Sequence, residues 1–379
     1  MHPCMPIRAQ DNAAKPHSHQ EEGILTGTGE NWSALAKEQA LDHLRRLLAN
    51  PRAVIGIGSA RASIESNFAL RKLVGAEHFY SGMSTRDQRL VNLILDIYTK
   101  GPARAASVHD AEQADAVLVL GEDVSSTAPR LGLSLRQAIR HKAWDLAATQ
   151  GIPRWLDNSV RDAAQNQQSP MFIVTPDVTR LDDVGTHTYH AAPDEIARLG
   201  FAVAHELNGG APGVADLTDE LKDFAQLIAR TLRQAKRPLV VSGMGCRNEA
   251  VVQAAANIAW VLSGEARAAD LCLVMPESNS LGLGLIGGGE LDQALGALSE
   301  GSVDTVIVLE NDLYRCAERP KVDAALNTAA HIVAIDHLWN NTTPHAELVL
   351  PAGTFAESDG TLVNFEGRAQ RFFQVMEPR

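Results

Sequence analysis

A doubly wound α/β fold with mostly parallel sheets is predicted by three features of this sequence. Short apolar runs recur along it, and most are apolar throughout rather than alternating, as strands are when helices cover both faces of their sheet. Between them lie stretches with helical spacing. The clearest is Glu249 to Leu262, where Val251, Val252, Ala255, Ile258, Ala259 and Leu262 fall on one face. The two kinds of segment alternate, which is the grammar of βαβ units.

Taken in order, residues 1 to about 30 are rich in Gln, Asn, Pro, His and Gly and show no periodicity, so they read as a poorly ordered tail. From Trp32, Leu35, Leu41, Leu44, Leu47 and Leu48 recur at spacings that suit a helix, which Pro51 ends. The run Ala53 to Gly58 is a buried strand that enters a tight turn at Gly58, Ser59, Ala60 and Arg61, followed by a helix from Ile64 to about Leu73. The amide-rich start of that helix faces the crevice at the strand end, a weak anion-site signal. Arg61 stands where a dinucleotide fingerprint needs its third glycine.

Further strands are expected at Ala116 to Leu120, Phe172 to Thr175, Leu239 to Ser242, Leu271 to Met275, Thr305 to Leu309, His331 to Ile335 and Leu348 to Leu350. Gly209 to Gly213 reads as a linker, and the glycine-rich run Leu281 to Gly289 as a surface loop without the Lys-Ser/Thr pair of a P-loop. Carboxylates follow the strands at Glu122, Asp123, Asp177, Glu277, Glu310, Asp312 and Asp336. Two readings stand for them: caps of the next helix, or acceptors for ribose and guanine hydrogens. Cys246 lies in a glycine turn before a helix, where a thiol is either a small packed group or one activated by the helix end.

The totals exclude several classes. A net charge of −12 without a basic run argues against nonspecific nucleic-acid binding, and no apolar stretch reaches the roughly 20 residues that span a bilayer. Cys4, Cys246, Cys272 and Cys316 are far apart and none sits in a Cys-x-x-Cys pair, so no iron-sulfur or zinc ligand set is recognisable. Neither an H-E-x-x-H nor a G-x-S-x-G motif occurs. Without an apolar core at the N-terminus to act as a secretory signal, the default expectation is cytoplasmic residence.

The densest polar chemistry follows the strand Leu348 to Leu350. Within Glu357 to Arg368 stand Glu357, Ser358, Asp359, Gly360, Asn364, Glu366, Gly367 and Arg368. The whole stretch, ELVLPAGTFAESDGTLVNFEGRAQR, resembles the segment of the molybdopterin oxidoreductase superfamily in which VLP is followed by E-x2-GT-x2-N-x-EGR-x-Q. Within it, FAESDGT and the segment ending EGRAQRFFQV are most similar to the family of large iron-sulfur subunits of bacterial NADH-quinone oxidoreductases, respiratory complex I. IGIGSARASIESNFALRKLVG and VLVLGEDV carry the same likeness, which spans about residues 32 to 379.

The resemblance implies one discontinuous α/β domain from 31–85 plus 230–379, and an inserted α/β domain at 90–215, as in domains II and III of formate dehydrogenases. It implies electron transfer from NADH to quinone in the respiratory chain, through 2Fe-2S and 4Fe-4S clusters bound upstream of this chain. The implied partners are the other subunits of complex I, above all the NADH-oxidising module, and the implied location is peripheral to the inner membrane through that complex. In molybdopterin enzymes, positions resembling Gly121, Glu310 to Asn311 and Asp336 help hold two pyranopterin guanine dinucleotides. Together with Gly58, Ser59, Arg61, Gly360, Asn364 and Arg368 they are the residues of a vestigial pocket here. The first of these sites reads Gly121-Glu122-Asp123 instead of Gly-Ser/Thr-Asn-Pro, and carboxylates repel a pyrophosphate. The stretch that supplies the metal's thiolate in the superfamily has no cysteine from Glu77 to Asp87, and only Ser81, Ser84 or Asp87 could offer an oxygen. The expectation is therefore a scaffold that binds neither molybdopterin nor metal and has no catalytic residue of its own, within a segment of a larger subunit. The alternative is a molybdopterin-dependent oxidoreductase like formate dehydrogenase.

Overall fold

A computed structural model describes residues 24–28, 31–49, 53–264 and 269–378. Two parallel-rich sheets and one hairpin make up its strands. The first sheet contains β1 (Ile24–Thr28), β2 (Asn31–Leu35), β3 (Val54–Ile57), β4 (Phe79–Tyr80), β11 (Thr305–Leu309), β12 (His331–Asp336) and β13 (Leu348–Pro351), in the order β2-β1-β13-β12-β11-β3-β4. The second contains β5 (Arg104–Ala105), β6 (Ala116–Leu120), β7 (Met171–Thr175), β8 (His187–His190), β9 (Pro238–Gly243) and β10 (Asp270–Val274), in the order β5-β10-β9-β6-β7-β8. All pairs in the second sheet are parallel, and in the first only β1 and β2 run antiparallel to their neighbours.

The continuously apolar strands are sorted by the two-residue period of a pleated sheet. In the second sheet Leu118, Leu120, Phe172, Val174, Val240, Leu271 and Leu273 enter a core shared with the helices Pro193–Leu207 and Glu249–Leu262. Their alternates Val117, Val119, Met171, Ile173, Leu239 and Val241 pack under the helix Pro129–Ala138. The first sheet does the same: Ile307, Leu309 and Val333 join the shared core, while Ile55, Val306, Val308 and Ala334 pack under the helices Leu291–Ser299 and Arg319–Thr328. One continuous core thus joins both sheets.

Several expectations are corrected. Residues 24–28 are a strand, not part of a tail, because Leu25 is buried and Gly27 N–H bonds Glu347 O beside β13; the rest of that expected tail falls largely outside the described residues. Asn31–Leu35 is also extended, and the helix begins only at Lys37. β9 and β10 pair with β6 and β5, so the division that placed 230–379 with 31–85 is corrected: the second sheet draws its strands from Arg104 through Val274. Gly209 to Gly213 joins the helices Pro193–Leu207 and Asp219–Gln234, which pack on each other, and marks no boundary between the sheets. Ser280–Ile286 is a helix where a loop was expected. Its glycines permit close packing: a Cβ on Gly282 would meet Ile64 at 2.7 Å, and one on Gly284 would meet Val91 at 2.6 Å.

Candidate functional site

The site is built at the carboxyl ends of the parallel strands, where an open α/β sheet places its crevice. In the first sheet the turn after β3 is closed upon itself. Asn67, fully buried, accepts from Ser59 N–H at 3.0 Å and donates to Ser59 O and Ser63 O at 2.9 Å each. Ser59 Oγ accepts from Arg61 N–H at 3.1 Å, and Ser63 caps the helix Ile64–Val74. Two amides that an anion would need are therefore already occupied by side chains.

Neighbouring strands tie onto this turn. Ser59 Oγ and Arg61 Nη2 donate to Glu310 O at 2.8 and 2.9 Å, and Asn311 Nδ2 donates to Gly58 O at 2.8 Å and Gly82 O at 3.0 Å. Gly82 has φ +72°, and a Cβ there would lie 2.0 Å from Gly58 O, so only glycine fits the crossing. Glu310 holds the left-handed φ of +42°. Burial, reinforced by the Asp336 charge, pushes its carboxyl up to about 7. Burial also raises Asp336, although that carboxylate accepts from His337 N–H at 2.8 Å, Leu338 N–H at 3.1 Å and Asn340 Nδ2 at 2.8 Å. His337 Nδ1 lies 4.0 Å from Glu310 Oε2 and 3.6 Å from Asp336 Oδ1.

A second cluster ends the second sheet. Gly121, at φ +76°, leads into Glu122, whose side chain is almost completely buried. Its carboxylate accepts from Thr127 Oγ1 at 2.7 Å and from Gly245 N–H at 2.8 Å. Burial pushes it up to about 6, against those hydrogen bonds and with help from Asp123. Cβ atoms on Gly243 and Gly245 would meet Glu122 Oε2 at 2.5 and 2.8 Å, so the glycine turn is moulded around a carboxylate. Cys246 donates to Gly121 O at 3.0 Å, and burial with the Glu122 charge pushes its thiol up to about 11. Of the two readings of Cys246, this favours the small packed group, since burial outweighs the helix end.

The third group of candidates lies on the hairpin β14 (Gly360–Val363) and β15 (Ala369–Phe372). Asn364 Oδ1 accepts from Glu366 and Arg368 N–H at 3.1 Å, closing the hairpin turn. Glu366 Oε1 in turn accepts from Val108 N–H at 2.8 Å, at the start of a helix beside the second sheet. Gly360 allows the hairpin onto the helix at Ser63, where a Cβ would press to 2.7 Å. Of the ten expected pocket residues, hydrogen bonds or charge join Gly58, Ser59, Arg61, Glu310, Asn311 and Asp336. Gly121 belongs to the second cluster and Gly360, Asn364 and Arg368 to the hairpin. Ser81 Oγ donates to Gln88 Oε1 at 3.0 Å, while Ser84 caps Thr85–Lys100 and donates to Asp87 Oδ2 at 2.7 Å. Among the described residues no group of three or more His, Cys, Asp or Glu side chains could hold a metal ion.

A family profile described as "Molybdopterin oxidoreductase" matches residues 162–379. The chain belongs to the molybdopterin oxidoreductase family. The G subunit of NADH-quinone oxidoreductase from Pseudomonas fluorescens is 48% identical over 349 residues, 92% of this chain. That of Escherichia coli strain K12 is 44% identical over 350 residues, again 92% of this chain. The chain spans 38% of the length of each of these relatives. Among solved structures, the fold of this molybdopterin oxidoreductase chain is similar to acetylene hydratase from Pelobacter acetylenicus, with a TM-score of 0.61 at 12% identity over 94% of this chain and 58% of that one. It is also similar to a chain of the formyltransferase/hydrolase complex from Methylorubrum extorquens, with a TM-score of 0.59 at 16% identity over 91% and 92%. No helix among the described residues is long and apolar enough to cross a membrane.

Sequence reasoning missed Asn67, Gly82 and Asn279. Asn279 is fully buried, accepts from Val363 N–H at 3.0 Å and donates to Ala62 O at 2.8 Å, pinning the hairpin to the turn after β3. Asparagine between apolar runs was the available signal, and it reads equally as a loop residue.

Proposed function

We propose that this chain is part of the large iron-sulfur subunit of an NADH-quinone oxidoreductase and that it serves there as a scaffold without a pterin cofactor. The observation that carries this reading is the Glu122 carboxylate seated on Gly245 N–H, in a turn whose glycines leave room for that carboxylate. A pyranopterin guanine dinucleotide brings its own pyrophosphate, and a buried carboxylate in the glycine cradle competes for the same amide and repels it. Asn67 takes up Ser59 N–H, and Glu310 and Asp336 add acidic groups at the neighbouring strand ends. The residues present do not fit the dinucleotide.

Electrons then pass from NADH to quinone through 2Fe-2S and 4Fe-4S clusters held outside this chain, and the sheets supply a rigid body against which neighbouring subunits assemble. Identity of 44–48% to the two NADH-quinone oxidoreductase relatives, over nearly the whole chain, supports this assignment. Affinity purification of the full-length protein from its host tests it. The expected result is recovery with NADH-oxidising subunits and NADH dehydrogenase activity, and a monomeric protein without them would contradict it.

A further inference from the structure

The segment of residues 337–342, which follows β12, is held through side-chain acceptors. The N–H groups of His337 and Leu338 go to Asp336 Oδ1, that of Asn340 to Thr343 Oγ1 at 3.0 Å and that of Thr342 to Asn340 Oδ1 at 2.8 Å. Asn340 Nδ2 returns to Asp336 Oδ2, and Asp312 accepts from Asn341 Nδ2 at 3.0 Å. Trp339 meets Trp32 of the edge strand β2 nearly at right angles, with ring centroids 5.1 Å apart. A segment held in this way, without a backbone ladder, opens locally at small cost, and the carboxylate that gathers its start decides whether it stays. Beside it the Glu310 carboxyl accepts no hydrogen bond among the described residues and faces His337 Nδ1 at 4.0 Å. That nitrogen is buried, also lacks a hydrogen-bond partner, and lies 3.6 Å from Asp336 Oδ1. One ring nitrogen can donate to only one of the two carboxyls. The other charge facing them is Arg61, whose Nη2 is committed to Glu310 O.

We propose that these groups form a proton-operated latch: residues 337–342 stay over the strand ends while Glu310 carries a proton, and are released when it loses that proton to solvent. Burial raises both carboxyls, but three N–H donors favour ionised Asp336 and no hydrogen-bond donor favours ionised Glu310. An ionised Glu310 therefore sets a second, poorly compensated negative charge beside the anchor. Drawing His337 towards that charge pulls its main-chain N–H off Asp336 and frees the start of the segment. Burial, reinforced by the Asp336 charge, raises Glu310 from 4.5 to about 7, so its contribution to the held state is full below about pH 4.5 and is lost as pH rises through about 7. With released Glu310 back at its ordinary value, the ratio of held to released segment falls about tenfold between about pH 6 and 8. The latch does not depend on whether the chain works in a redox complex.

Amide hydrogen exchange of the full-length protein in its native assembly, read by mass spectrometry at about pH 6 and 8 and corrected for the intrinsic rate, is the test. Protection of residues 337–342 should be about tenfold lower at the higher pH, with β9 and β11 unchanged. Glu310→Gln, which has no proton to lose, should show the same protection of this segment at both. Equal protection at the two pH values in the parent would overturn the proposal whether or not the variant assembles. So would a loss that spreads to β9 and β11, or one that persists in Glu310→Gln.

Discussion

The Glu122 carboxylate accepts a hydrogen bond from Gly245 N–H at 2.8 Å across 123 positions of sequence, and it joins the ends of β6 and β9 with a buried acidic group. Burying a carboxylate is costly unless its environment satisfies the charge, and here one hydroxyl and one amide offset that cost only in part, so the carboxyl stays raised to about 6.

Glu122→Gln is expected to stabilise the fold at neutral pH. Glu122 has its pKa raised from 4.5 to about 6, so its contribution is full below about pH 4.5 and is lost as pH rises through about 6. The neutral amide does not incur that loss. The variant should gain about 2 kcal/mol over the parent above pH 7 and converge towards it below pH 4.5. Urea unfolding of both proteins across that range measures the difference.

Glu310→Gly tests the second acidic strand end. It removes a left-handed φ of +42° from a residue with a side chain and a carboxyl raised to about 7. Relief of the backbone conformation is worth about 1 kcal/mol. The parent also loses stability as pH rises through about 7, so the variant's advantage should be larger at pH 8 than at pH 5 in denaturant titrations.

Gly82→Ala and Gly151→Ala separate steric necessity from backbone preference. Both glycines are left-handed, at φ +72° and +71°, but a Cβ at Gly82 would meet Gly58 O at 2.0 Å and one at Gly151 would meet nothing within 4 Å. Gly151→Ala should cost about 1 kcal/mol and Gly82→Ala roughly 3 kcal/mol or more. Comparable losses in the two thermal melts would refute the role given to the Gly58–Gly82–Asn311 crossing.

Asn279→Ala should loosen β14 and β15 without unfolding the sheets, since two of the hairpin's anchors are Asn279 Oδ1 on Val363 N–H and Glu65 on Thr361. Amide hydrogen exchange should quicken in residues 360–372 and stay unchanged in β6, β9 and β11. Faster exchange throughout both sheets would mean that Asn279 supports the global fold instead.

The long apolar strands were legible because burial on both faces leaves an uninterrupted run, as in Ala116–Leu120 and Thr305–Leu309. β1 and β2 were not, because only Leu25 among their described side chains is buried and β1, which carries β2 at the sheet edge, pairs with β13 more than 300 residues later. The glycines of Ser280–Ile286 suggested a loop because sequence shows their cost in a helix but not the neighbours Val91 and Ile64 that require it. The acidic strand ends were visible as residues. Their arrangement was not, since Glu122 meets Gly245 and Arg61 meets Glu310 only after the sheets form.

Elemental analysis of the native, full-length protein complex tests the central claim most directly. The account predicts iron in proportion to the iron-sulfur clusters of the complex, with neither molybdenum nor tungsten in stoichiometric amount and no extractable pterin fluorescence. One molybdenum or tungsten atom with pterin for each copy of this chain would contradict it.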